Sequence, residues 1–511
     1  MTDVIGYSWL LNHYKVNVVQ PLRRKSVIGA TRQSRSDNGY ETEVYTPNYR
    51  PDPRFDAHMT FALKYEGVNL EALARLFEVV PETVVAEWVN RERVGQYARR
   101  TGFLWEWFTD RKLTGVEPVP SGNYVDAIDK KFQLVATSSK NDRRWRVRDN
   151  IPGTRLFCPV VFHSEGVKAA AVYDCAKELE ALNVEFGADV LLRSAVWLTI
   201  KESRASFLIE REEKHQDRIK RFAIAMEKYC GVLENPLGDE ALALLQQEII
   251  GKRTTLTHFG PRLSPIFVGS VANYEPVVHY VAPHWDALGG MLTGLEIFLA
   301  RTQCASPILR AAVCSFSLVY IHPLADGNGR IHRFLINDIL RRDGAVPEPY
   351  ILPISATITQ SPVERAHYDQ ILDVFSKPLM KQFSSACEFG RMKTYPDGIE
   401  SDFEFVSYPT AAPTWRYPDL TSHVEYIADI IDKTIREEMT NEARILRDWD
   451  RARSAVKIVL DGPDRDIDRI IRSLRDNNGV VSNSLRKQFP VLEDSEVAGE
   501  VAVAVASVFG T

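Results

Sequence analysis

The stretch ILRAAVCSFSLVYIHPLADGNGRIHR, residues 308–333, decides how the chain is read. From Ile308 to Ile321 it is nearly all apolar, and a helix apolar on every side belongs in a core. Pro323 cannot continue that helix, so it is expected to end at His322. Gly327 and Gly329 bracket Asn328, which lets the backbone turn sharply and approach a ligand closely. A second helix is expected from about Arg330, and its first N–H groups lack partners and carry the positive end of the dipole. Glycines leading into a helix start form an anion cradle. Arg330 and Arg333, three apart, share one helical face and can both reach that anion. Asp326 stands just before the glycines, where a carboxylate can hold Mg²⁺ against phosphates. His322 stands on the other side of the turn, with a side chain suited to accepting a proton near neutral pH. Singly, these features are a cap, a turn and a solvated face. Together, within one turn, they compose one phosphate site.

Around this turn the chain reads as mostly α. Helical patterns are expected over Asp56–Val80, Arg99–Leu113, Val167–Cys230 and Leu292–Phe389, the last interrupted by the glycine turn. Leu22 to Gly39 is basic and Ser-rich and reads as a loop or arm. Phe132 to Phe162 turns β-branched and basic, as in short strands or extended loops. Gly260 to Pro283 reads as a hairpin. Tyr395 to Pro418 carries four prolines and reads as a linker. Beyond it, Ile467 to Phe489 reads helix, turn, helix, a small module with helix-turn-helix or winged-helix character. The expected division is an N-terminal accessory region (1–165), a catalytic domain with an upstream helix (166–394), a linker (395–420) and a C-terminal helical module (421–511).

Composition bounds the function. The chain has 511 residues and a formal net charge of −5, which argues against bulk electrostatic binding to nucleic acid or anionic membrane. The basic run Arg143 to Arg148 around Trp145 reads as a solvated strand or loop rather than a nucleic-acid surface. The N-terminus lacks the basic-then-apolar plan of a signal peptide. No apolar run approaches the ~18 residues of a membrane span. Six scattered cysteines with no close pair read as buried thiols in a reducing cytoplasm.

His322 to Arg333 resembles the signature of the Fic family, HPFx[D/E]GNGRxxR, with Leu324 where Phe is usual. Phe267, Val268 and Gly269 with Tyr280 and Val281 resemble the family's flap hairpin, which lines up the target segment. The resemblance spans roughly Leu192 to Ser376. It implies a helical core with a short β-hairpin and a protein adenylyltransferase. On that implication His322 takes the proton from a Tyr, Thr or Ser hydroxyl that attacks the α-phosphorus of ATP. Asp326 holds Mg²⁺, and Gly327, Asn328 and Gly329 form the anion hole. Arg330 lies on the phosphates, and Arg333 grips the γ-phosphate. The implied partner is a hydroxyl-bearing protein, with self-modification and a homo-oligomer left open and nucleic acid a remote alternative through the C-terminal module.

Many Fic enzymes carry an inhibitory helix with the pattern [S/T]xxxE[G/N], whose glutamate pairs with the second motif arginine. Ser206 and Glu210 keep the Ser and Glu of that pattern, with Arg211 in the last position. Glu66-Gly67 is the competing match, without the Ser or Thr. Glu210 is therefore expected to be the brake. The rival functions are removal of AMP from the same target, another phospho-group transfer, or a DNA-binding or scaffold protein with a vestigial core.

Overall fold

The structure, a computed structural model, describes residues 3–37, 39–212, 216–251, 254–272 and 275–510. At the N-terminus a four-stranded sheet runs in the order Val4–Ile5, Arg24–Ile28, Tyr40–Tyr45, Gln33–Asp37. Leu22 to Gly39, expected as a loop or arm, thus supplies two strands. The pairing is non-local in character: Val27 lies opposite Val44, and Arg24 forms an ion pair with Glu41 at 3.0 Å. A basic, Ser-rich run looks strand-poor until its acidic partner strand is beside it. Five helices, from Tyr7–His13 to Gln96–Thr109, share a core of Leu10, Met59, Leu73, Trp88 and Trp105. The basic run belongs to this unit, because Trp145 is buried and donates to Glu106 at 2.8 Å while Arg144 pairs with the same carboxylate.

The second and largest core takes in two helices, Glu165–Val172 and Cys175–Phe186, and then α1 (Ala188–Ile209), α2 (Gln216–Tyr229) and α3 (Asp239–Ile250). The flap follows as β1 (Phe267–Ala272) and β2 (Glu275–Val281), an antiparallel pair. Next come α4 (Leu288–Arg301), α5 (Pro307–Ile321), α6 (Asn328–Arg342), α7 (Ile354–Thr359) and α8 (Pro362–Phe383). The apolar helix of the opening stretch is α5, and every residue from Ile308 to Leu318 is buried. It lies against α6, and Arg310 near the start of one clamps Asp343 beyond the end of the other (Nε to Oδ2, 2.5 Å). The ordinary termination by Pro323 operates as expected, with His322 capping α5 in a left-handed conformation.

The expected linker over 395–420 is not one. It holds the second half of a hairpin, β3 (Cys387–Thr394) with β4 (Glu400–Phe405), and then α9 (Tyr408–Arg416). Three of the four prolines sit where backbone geometry tolerates them: Pro396 in the hairpin turn, Pro409 in the first turn of α9, Pro418 just after it. Pro413 lies within α9 and is buried, as is Trp415, whose indole donates to Val281 of the flap at 3.2 Å. The domain boundary moves accordingly. Helix α10 (Thr421–Lys433) buries Val424, Ile427, Ile430 and Ile431 in the main core. Only from Ala452 in α11 (Thr440–Val459) does a separate small core begin, shared with α12 (Asp464–Asp476), α13 (Asn483–Gln488) and α14 (Ser495–Phe509). The described residues of this module contain no strand, so it has no wing.

A chain cut at Gly398 is therefore expected not to fold. It loses Trp415, Leu420, Val424, Ile427, Ile430 and Ile431, all buried. At ~1.5–3 kcal/mol for each buried apolar side chain, the loss equals or exceeds a typical total stability of ~5–15 kcal/mol. A chain ending at Val459 keeps them and should melt cooperatively, which differential scanning calorimetry of the two truncations would compare directly.

Candidate active site

The turn between α5 and α6 is held from four sides. His322 carries φ 49, and its own N–H donates to Leu318 O at 2.8 Å. Gly327, at φ 96, opens the second bend, a conformation only glycine takes without strain. The Asn328 side chain closes the loop on itself, donating to Leu324 O (2.7 Å) and accepting from Leu324 N (3.0 Å). Leu324, in the usual Phe position, is fully buried. Gln246 of α3, also buried, donates to Asp326 O at 2.9 Å and accepts from Gly260 N.

The imidazole of His322 has its Nδ1 3.1 Å from Val319 O. A carbonyl can only accept, so Nδ1 bears the proton and Nε2 keeps a lone pair. Burial pushes the imidazolium pKa down to about 4, with the Arg262 guanidinium acting in the same direction. The ring is thus neutral and able to accept a proton throughout the neutral range. His332, between the motif arginines, is packed: it lies edge-on to Phe316, and burial pushes its pKa down to about 3.

Both motif arginines are buried. Arg333 donates Nε to Ser206 Oγ at 2.7 Å and Nη2 to Glu210 Oε1 at 2.6 Å. Arg330 donates Nη2 to Asp326 at 2.7 Å and Nη1 to Glu212 at 2.9 Å. Arg330 Nε and Arg333 Nη1 have no partner among the described residues. Two buried cations that each keep a spare donor are suited to an anion. The start of α6 has no side-chain cap, so its first N–H groups point the same way. Glu210 already exploits this position, for a β-carbon at Gly329 would collide with its Oε1. Burial alone would raise the Glu210 pKa, but Arg333, with Arg330 and Arg365 behind it, outweighs burial and holds the carboxyl below its ordinary value.

The last residue of the brake pattern also finds a reason. Glu210 ends α1, and Arg211 takes φ 61. A left-handed residue at a helix end favours Gly or Asn, which is where the usual pattern places them, and Arg211 occupies the same conformation at a small cost. Glu66, the competing match, lies in the N-terminal core. Its carboxylate accepts from Tyr7 N at 2.8 Å, it is buried, and its pKa is raised to about 7 by burial.

The flap residues divide into two sets. Val268, Gly269 and Val271 are exposed. Tyr280 and Val281, read from sequence as target-docking, are buried anchors: the Tyr280 hydroxyl donates to Tyr320 O of α5. Phe267 is also turned inward, onto Phe403 (4.6 Å between centroids) and Phe389 of the second hairpin. Four residues at the site went unnoticed in the sequence: Gln246, Arg262, Asp397 and Glu212. Glu212 lies in a run of charged residues with nothing local to single it out, and only the fold-back after Arg211 brings it to Arg330.

This geometry defines a helical protein that presents an anion cradle and a neutral imidazole on one turn. Residues 239–340 match the profile of the Fic/DOC family. Similar proteins include "Protein adenylyltransferase fic-1" of Caenorhabditis briggsae, 47% identical over 110 residues, covering 22% of this chain and 20% of that protein. The protein of the same name from Caenorhabditis elegans is 35% identical over 108 residues, 19% of each. The chain spans about a fifth of the length of these relatives. A crystal structure of a Fic family protein from Desulfovibrio desulfuricans G20 aligns with 62% of this chain and 88% of its own at 16% identity and a TM-score of 0.37.

Proposed function

We propose that the chain transfers AMP from ATP to a hydroxyl side chain of a protein, and that Glu210 holds this activity down. The observation that carries the reading is the pairing of His322, with a free Nε2, and two buried arginines with spare donors at one helix start. The target hydroxyl gives its proton to His322 Nε2 as its oxygen bonds to the α-phosphorus. The bond from that phosphorus to the bridging oxygen breaks, and pyrophosphate leaves with the electron pair. Arg330, the N–H groups of α6 and, once freed, Arg333 hold the phosphates while charge shifts onto them. The exposed part of the flap offers the target a strand edge beside this site.

Asp326 fits a phosphate-bound cation. Its side chain is 46% exposed, and Arg330 engages only one of its oxygens. Among the described residues no cluster of three metal-ligating side chains exists, so the ion would arrive with the nucleotide, as Mg²⁺ commonly does. Bound there, Mg²⁺ would neutralise charge on the departing pyrophosphate. Asp326→Ala is expected to lower Mg²⁺-dependent transfer by roughly 10²-fold. Equal rates for this variant and its parent in excess Mg²⁺, or undiminished activity with chelator, would remove the assignment.

The test of the whole reading is transfer of label from α-labelled ATP to protein by wild type and Glu210→Gly. The ionised Glu210 carboxylate, about a third exposed beside His322, also favours a second reading in which it orients a water to remove AMP. Label lost from a pre-modified target with wild type, and kept with Glu210→Gly, would select that reading.

A further inference from the structure

The residue that ties the flap to the base is Arg262, in the segment between α3 and β1. Its side chain is 1% exposed, yet among the described residues it has no carboxylate within ion-pair distance. All three of its nitrogen positions instead donate to backbone carbonyls. Nε donates to His322 O at 2.8 Å, Nη1 to Ser264 O at 2.6 Å and Nη2 to Pro283 O at 2.7 Å. Its own backbone N–H donates to Pro323 O at 2.8 Å. Those carbonyls belong to three separate pieces: the catalytic turn, the entry to the flap and the exit from it.

We propose that Arg262 is the positioning residue that sets the register between the target-bearing flap and the base His322. The inference rests on the transfer reading above. His322 sits in a left-handed conformation at a helix end, where its carbonyl has no helical partner. Arg262 supplies that partner and, with the same planar group, fixes both ends of the flap. Only a guanidinium carries enough donors in a rigid fork to do this, and a lysine cannot. The second hairpin braces the arrangement. Asp397, at its turn, accepts from Leu263 N and Ser264 Oγ, both at 2.7 Å, in the two residues that follow Arg262. A target hydroxyl presented by the flap is thereby held at a fixed distance from Nε2, and transfer is steeply sensitive to that distance. Nucleotide binding draws on Arg330, Arg333 and α6, none of which Arg262 touches.

The charge of Arg262 adds an independent signature. The charged groups that face His322 are Arg262, Glu210 and Asp326, and of these only Arg262 opposes protonation of the ring.

The experiment uses the full chain carrying Glu210→Gly as parent, with Arg262→Lys and Arg262→Met added. ATP affinity should stay within about twofold, while kcat for AMP transfer falls by roughly 10²-fold in both variants. The imidazole of His322, assigned by its loss in His322→Gln and followed by NMR in a histidine-labelled chain, should titrate at higher pH in Arg262→Met and not in Arg262→Lys. Parental kcat in Arg262→Lys, or ATP affinity falling in parallel with kcat, would overturn the proposal. If an Arg262 variant does not fold, Asp397→Ala loosens the same clamp with Arg262 in place. It should lower kcat by about tenfold at unchanged ATP affinity, and unchanged kcat would count against the proposal. Absence of transfer by the parent itself would instead refute the transferase reading, and the titration would still report the contact between Arg262 and His322.

Discussion

His322→Ala is expected to lower AMP transfer by roughly 10²–10⁴-fold while leaving ATP affinity nearly unchanged. On the proposed reading the phosphates would meet Arg330, Arg333 and the start of α6, whereas the imidazole would face the hydroxyl that loses its proton. Alanine carries much the same cost as histidine in the left-handed conformation of this position, so the substitution adds little backbone strain and the fold should stand. Isothermal titration with ATP, beside label transfer by the Glu210→Gly form of each protein, separates binding from chemistry. A folded His322→Ala protein that transfers AMP at the parental rate would end the mechanism. The pH profile carries the same information. With a folded pKa of about 4, the base is already deprotonated at pH 6, so activity should hold from neutrality down to about pH 5 and fall below that. The sign for stability follows from the same shift. An unfolded histidine takes up its proton near pH ~6.5. The folded chain resists protonation at His322, His332 and His423, whose pKa values burial pushes down to about 4, 3 and 3. Below pH ~6.5 the unfolded state therefore binds more protons, and stability declines with acidification.

The helix pair and its turn were legible because their signals are local. An all-apolar helix, a proline, two glycines and two arginines each act within a few residues of their own position. The contacts of Ser206 and Glu210 with Arg333 were legible for the same reason, as the two residues sit one helical turn apart. What escaped the sequence depends on distant partners. Arg262 reads as an isolated cation until the carbonyls of His322 and Pro283 close around it. Asp397 reads as a turn residue until Ser264 is placed against it. The prolines of 395–420 read as a linker because proline is excluded from helix interiors more than from helix starts, and sequence alone does not say which of the two is present. Trp415, a large apolar side chain in that stretch, was the available hint of burial.

Glu210→Gly should raise self-adenylylation by roughly 10²-fold, the order expected when a misplaced reacting group is restored to line. Glu210 Oε1 lies 2.6 Å from Arg333 Nη2 and sits over Gly329, so its carboxylate occupies the place where a terminal phosphate would meet the same guanidinium. Breaking a partly buried pair of this kind leaves an unpaired charge, which makes it hard for ATP to displace. Nucleotide that binds beside an intact pair must settle with its terminal phosphate elsewhere, and its α-phosphorus out of line with the hydroxyl. Removing the carboxylate frees Arg333 for the phosphate. Arg333→Ala also dissolves the pair but loses the grip, so its activity should stay low, and the contrast between the two variants separates a brake from a merely strained contact. Glu66→Gly serves as the control, because Glu66 is bound to Tyr7 in the N-terminal core and should not activate. Glu212 adds a second layer. It engages Arg330 at 2.9 Å, so the residues just past the end of α1 pair with both motif arginines at once. Glu212→Ala alone should therefore activate less than Glu210→Gly, since Arg330 keeps Asp326 as a partner and Arg333 remains blocked. Activation by Glu66→Gly, or equal activity of wild type and Glu210→Gly under saturating ATP and Mg²⁺, would show that the pair with Arg333 does not restrain the enzyme.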